Sequence, residues 1–263
     1  MPTFTGKTFA SFYKNLLGLN QSSNTGVDST TRKIHDGVGN ETSVSLSDDV
    51  LQVQPVTDNT TGTMLVKNQG GDTVFAVDTD NKKVQVNGAN ATTQYVHFGV
   101  SSSGVLAAVA GTHYAVPFGN YSILPSAVTM GTSAEPSTSY DISANNNGDD
   151  MAMMLWYVPD DITIDQVYWM AGGNAASGDT INIHLLSFDF DAGTGAGKGD
   201  LSNGAVVAGG GDIASLGYEN IVQQSIAPAS ADVDAGKVCM ATFESNGTNS
   251  DYGINITVKY HLR

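Results

Sequence analysis

Hydrophobic positions along this chain change their spacing several times, and each change predicts a different element. From Thr8 to Leu19 the apolar residues Phe9, Phe12, Tyr13, Leu16 and Leu17 fall at i, i+3, i+4, i+7 and i+8. That spacing is one face of a short amphipathic helix, with Thr8 as its N-cap and Gly18 at its end. A helix this short is marginal alone, so its face needs either the chain's own domain or another chain to pack against. Residues 20–43 are polar and punctuated by glycine, which predicts an extended arm. Val44, Leu46, Leu51 and Val53 then alternate, predicting a strand pair or one bent strand ended by Pro55.

Residues 63–88 carry the clearest local signal. Met64 and Val66, then Val74, Phe75 and Val77, then Val84 and Val86 supply three alternating runs, with Gln69-Gly70-Gly71 and Asp80-Asn81 as the turns. Three strands of about five residues cannot close a core alone. The unit therefore either repeats around an axis, as in a trimer, or packs on the C-terminal domain. Small residues and glycine dominate 89–120, which predicts a neck that carries some strands. From 121 onward, apolar or alternating runs at 122–130, 151–158, 162–170, 180–190, 220–226, 237–245 and 252–262 are each bounded by Gly, Asn, Asp or Pro. That rhythm predicts a β-sandwich, with a jelly roll as its form.

The expected architecture is thus all-β in four parts. An N-terminal anchor helix and arm occupy 1–55, a small β shaft of trimeric prism type 56–100, a neck 101–120, and a jelly-roll sandwich 121–263. Composition agrees with it: 30 glycines and abundant Asn, Asp, Ser and Thr are the chemistry of many tight turns.

Charge narrows the partners. With 26 acidic residues against 11 basic ones the net charge is -15, which repels phosphate backbones and anionic membrane surfaces. Neither nucleic-acid binding nor membrane insertion is expected. The single cysteine, Cys239, lies in the apolar run KVCMATF and reads as a small core residue. The opening MPTFTGKTFASFYKNLL lacks the apolar stretch and cleavage site of a secretory signal, so assembly in a cytoplasm is expected.

Catalytic and metal chemistry finds little footing. The five histidines, His35, His97, His113, His184 and His261, are scattered without a ligand motif. No nucleophile elbow or phosphate loop joins a strand to a helix. The acidic, glycine-rich stretch from Asp189 through Asp191 to Asp200 offers a weak calcium-loop match, because Gly193 and Asp200 stand where an EF-hand needs its fifth and twelfth ligands. No cofactor is expected. Trp156-Tyr157 and Tyr168-Trp169 are the aromatic pairs that suit sugar stacking, but adjacent strand residues point to opposite faces, so one of each pair belongs to the core.

FYKNLLGLNQSSNTGVDSTTRKIHDGVGNETSVSLSDDVLQVQP followed by GTMLVKNQGGDTVFAVDTDNKKVQVNG resembles virion structural proteins of marine tailed phages. The second piece is similar to shaft units of phage fibres, which lie between a particle-anchoring N-terminus and a globular tip. The resemblance covers residues 9–100. It implies a non-enzymatic homotrimer whose helix, through Phe9, Phe12, Tyr13, Leu16 and Leu17, docks on other virion proteins. Val66, Val74, Phe75, Val77, Val84 and Val86 would form the trimeric shaft, and the sandwich would face a host-surface glycan or protein. One short shaft unit implies a stubby spike, head fibre or capsid decoration protein rather than a long tail fibre.

Overall fold

The computed structural model describes residues 16–21, 26–103, 109–121, 128–145, 148–173, 178–192, 198–210, 220–248 and 251–263. The chain divides into two units, the boundary falling after Ala91. Both are β structures with almost wholly antiparallel pairing, and helix among the described residues is confined to the turns Ile142–Asn145 and Gly148–Ala152. The expected helix lies largely outside the described residues. Its last positions, Gly18–Leu19, are instead strand β1.

In the first unit β1 joins β2 (Arg32–His35), β3 (Glu41–Leu46) and β4 (Leu51–Val53) in simple order. The extended arm expected over 20–43 is therefore corrected across 32–43, where the chain pairs. Between Arg32 and Ser43 only Ile34 and Val38 are apolar, and polar contacts fix the pairing there. Asp36 accepts hydrogen bonds from the backbone N–H groups of Val38 and Asn40, both at 2.9 Å, and from Asn40 Nδ2 at 2.7 Å. Arg32 grips Asp28 through both guanidinium nitrogens, and Lys33 Nζ meets Glu41 at 2.7 Å.

The second sheet of this unit runs β5 (Met64–Lys67), β6 (Thr73–Asp78), β7 (Lys83–Val86) and β8 (Ala89–Asn90). Both turns read from the sequence close through side chains. Asp72 N–H donates to Asn68 Oδ1, and Asn81 N–H to Asp78 Oδ1, each at 2.9 Å. The fourth strand follows from Asn87-Gly88, whose φ angles of 50° and 79° are those of a two-residue hairpin turn.

The second unit begins with β9 (Thr93–Ser103), whose residues the expected architecture divides between the end of the shaft and the neck. It pairs along its whole length with the last strand, β19 (Asp251–Leu262). The neck correction extends further, since β10 (Tyr114–Val116) and β11 (Gly119–Tyr121) also belong to this unit's sheets. The remaining strands are β12 (Leu155–Tyr157), β13 (Ile162–Gly172), β14 (Ile181–Phe190), β15 (Leu201–Gly209), β16 (Ile221–Ile226), β17 (Asp232–Val233) and β18 (Val238–Ser245). One sheet has the order β10-β18-β14-β15 with β12 on β18; the other has β11-β9-β19-β13-β16 with β17 on β13.

One apolar core joins the two sheets. Phe243 and Tyr252 meet across it at 6.0 Å, as do Trp156 and Tyr260 at 4.9 Å, with Phe98, Trp169, Ile256 and Val258 fully enclosed. Cys239 belongs to this core, and burial pushes its thiol up to about 12. Every residue of β14 from Ile181 to Ser187 is buried, because its sheet is covered on both sides. Residues 128–140 supply the outer cover. They bond to β10 through Ala115 N–H to Val128 O at 2.9 Å and Met130 N–H to His113 O at 2.7 Å. They then cross the sheet to β15, where Gly204 N–H donates to Thr138 O at 2.8 Å and Tyr140 bridges Leu201.

Candidate functional site

Register in the 64–90 sheet sorts its side chains into two unlike faces. Met64 stands opposite Val77 and Val77 opposite Val84; Val66 stands opposite Phe75 and Phe75 opposite Val86. These six residues form two cross-strand rows with no polar side chain between them. The side chains of this face are exposed or half-buried: Met64 is 43% exposed, Val66 48%, Val84 38% and Val86 46%, with Phe75 and Val77 half-buried. Of the expected shaft residues, Val66, Phe75, Val77, Val84 and Val86 are brought together. Val74 is on the opposite face with Leu65, Ala76 and Asp78, because adjacent strand residues cannot share a side.

Asp78 closes the edge of that second face. It is buried, and hydrogen bonds from the Asn81 backbone and side chain hold its carboxyl below the usual range, with Lys83 Nζ 3.9 Å away adding to the effect. Of the expected anchor residues, Phe9, Phe12 and Tyr13 lie outside the described residues. Leu16 and Leu17 are both exposed.

A second open surface is the outer face of the six-stranded sheet. Gly172 and Gly253 sit opposite each other and leave a depression of about 370 Å³ between Met170, Ile221 and Asn255. It continues into a smaller hollow of about 100 Å³ that reaches Tyr168, Gln223 and Thr257. Tyr168 is 39% exposed whereas its neighbour Trp169 is buried, and Tyr157 and Trp156 divide the same way. The trough thus offers the Tyr168 phenol, a thioether, two carboxamides and the Thr257 hydroxyl.

Two of the acidic loop's described carboxylates, Asp189 and Asp200, are engaged within the unit. Asp189 Oδ2 accepts from Asn203 Nδ2 at 2.8 Å and its other oxygen is paired with Lys237; Lys237 first and Asn203 second hold its carboxyl below the usual range. Asp200 Oδ1 accepts from the backbone N–H of Ile142 at 2.8 Å, and Asp191 N–H donates to the Asp200 carbonyl. Among the described residues no group of three metal-binding side chains comes together. A hollow of about 560 Å³ lies beside this loop and is mainly apolar, lined by Ile142, Met151, Leu155, Tyr157 and Phe190, with Asp191 and Lys198 as its charged members.

The histidines occupy separate settings. His35 bonds to the carbonyls of Leu19 and Asp36, His97 to Thr257 Oγ1 at 3.0 Å on the outer face, and His261 to Asp165 at 2.9 Å. His113 and His184 alone meet, ring centroids 5.2 Å apart, where no sequence motif pairs them.

No family model and no curated protein matches this chain. Among solved structures it is similar to a CocE/NonD family hydrolase from Staphylococcus aureus, at 9% identity and a TM-score of 0.27 over 68% of this chain and 38% of that one. It is also similar to an aminopeptidase from a marine sediment archaeon, Thaumarchaeota archaeon, at 10% identity and a TM-score of 0.29 over 71% of this chain and 40% of that one. The chain thus spans about two fifths of the length of these two structures.

Proposed function

We propose that this chain is a non-enzymatic structural protein of a tailed-phage particle, a homotrimeric fibre or spike attached to the head, neck or tail. The observation that carries the proposal is the uncovered apolar face of Met64, Val66, Phe75, Val77, Val84 and Val86. At their remaining exposure each side chain stands to gain roughly 1 kcal/mol on burial, and an apolar patch of this kind marks an interface. Three copies of such a sheet around an axis bury all three faces at once, as a triangular β-prism. Residues 1–55, with Leu16 and Leu17 exposed, serve as the anchor on other virion proteins, and assembly takes place in the host cytoplasm.

Residues 92–263 form the head, and we assign them a jelly roll. Strand order supports this assignment. Taking β9, β10, β13, β14, β15, β16, β18 and β19 as the eight long-range strands, one sheet runs first, eighth, third, sixth and the other second, seventh, fourth, fifth. That is the connectivity of two interleaved Greek keys, a form used by viral shell and lectin domains. The head presents the Tyr168 trough for attachment to the host surface.

A capsid decoration protein with the same trimer is the alternative, and it differs in copy number and in binding no receptor. A carbohydrate-binding or hydrolytic module is the second alternative, favoured by the mixed aromatic and carboxamide chemistry of the trough. Light scattering on the full chain should give three times 27.3 kDa; a mass of one chain sinks the trimer. Turnover of host polysaccharide by the purified protein would show that it is an enzyme.

A further inference from the structure

His113 and His184 are both 0% exposed, yet three of their four ring nitrogens lack a hydrogen-bond partner. His113 Nε2 is 2.9 Å from the carbonyl of Ser133, which leaves Nδ1 without a hydrogen-bond partner. His184 Nε2 lies 3.1 Å from Glu135 Oε2, but off the direction of a hydrogen bond, so neither of its nitrogens is satisfied. The Thr242 hydroxyl, on the strand between them, is buried and unpartnered as well. Buried polar groups are nearly always paired, and these four lie together beneath a single covering segment.

Position shows what covers them. The pair sits beneath residues 128–140, the strap that runs from β10 to β15 over the outer face of the sheet. The strap supplies Ser133 and Glu135; β18 offers Thr242 and β15 offers Gly209, where an added Cβ would lie 2.3 Å from the His184 ring. The titratable groups facing His184 are therefore His113 and Glu135. Burial makes the charged imidazole costly and a charge on His113 adds to that cost, while Glu135, at 63% exposed, opposes it too weakly to reverse the direction.

We propose that residues 128–140 are an acid-released strap, held down while His184 is neutral and lifted when it is protonated. With the strap raised, the imidazole regains water and its ordinary pKa near 6.5. The lifted form therefore binds a proton that the closed form refuses. Closure is fully favoured above that value and weakens as pH falls below it, by about tenfold in population for each pH unit until the closed-state value is reached. Release uncovers a new face made of the outer surfaces of β10, β18 and β14.

Hydrogen exchange by mass spectrometry on the full chain, corrected for intrinsic rates, tests this at pH 7.5 and pH 5. Exchange in 128–140 should rise on acidification while β13 and β19 stay protected. His184→Gln should abolish the rise. Glu135→Gln, a change at an exposed side chain that leaves folding intact, should enlarge it, because the only opposing charge is gone. The proposal is overturned if 128–140 exchanges equally at both pH values, if the whole unit opens together, or if Glu135→Gln reduces the acid response. Should His184→Gln fail to fold, an NMR titration placing His184 at or above 6.5 in the native protein overturns it as well.

Discussion

The two units use the same strands to opposite ends. In residues 92–263 two sheets face each other, and Phe243, Tyr252, Trp169 and their neighbours vanish into a shared core. In residues 1–91 Ala76 is the one buried apolar residue among those described. Hydrophobic side chains are present there, but Met64, Val66, Val84 and Val86 stay at the surface. The strands are short and their turns well made, so the shortage is of a second layer and not of local structure. A sheet needs something to cover its apolar face. The second unit finds that cover within its own chain, and we propose that the first finds it in other copies.

The largest effect should come from charging the open face. Val66→Asp combined with Val86→Asp should reduce the particle mass in light scattering to that of one chain, leaving the thermal unfolding of 92–263 in place. Next is the closed core. Phe243→Ala removes a ring stacked on Tyr114 at 5.5 Å and should cost about 3–5 kcal/mol in denaturant unfolding, independent of protein concentration. If this loss varied with concentration, the two units would not differ as described.

A smaller effect falls on the turn that ends the open sheet. Asn87 holds φ at 50°, and Asn87→Ala should cost about 1–2 kcal/mol, read in the assembly's concentration-dependent unfolding. Smallest is the acid response of Asp28. Hydrogen bonding to Arg32 and to the Thr30 backbone lowers its pKa to about 2 from 3.8. Because the folded value is depressed, its contribution is complete above pH 3.8 and is lost as pH falls toward 2. Asp28→Asn should remove only that part of the pH dependence of the first unit's unfolding.

Much of the second unit was legible because its strands are long and its apolar runs end in turn residues, as in β13, β14, β18 and β19. β9 was missed although Val96, Phe98 and Val100 alternate, because Gly99 and the following serines dilute the pattern. β15, LSNGAVVAG, hides among small residues for the same reason. The pairing over 32–43 was invisible to apolar periodicity, since Asp36, Arg32 and Lys33 hold it through polar contacts. Asn87-Gly88 announced a fourth strand that the small residues after it obscured. The shaft positions were legible as residues, and simple alternation already separates Val74 from Phe75; the cross-strand rows Met64–Val77–Val84 and Val66–Phe75–Val86 needed the register. The meeting of His113 and His184 depends on a crossing of the sheet that no local pattern encodes.

The most direct test of the uncovered face uses a thiol. Cys239 is buried, with its pKa pushed up to about 12, and should be inert in the native protein, so Val66→Cys introduces a single reporter. If other copies cover the face, this thiol will resist a maleimide in the native protein and react once the assembly is dissociated. Reaction at the rate of a free cysteine in the native protein would contradict the account.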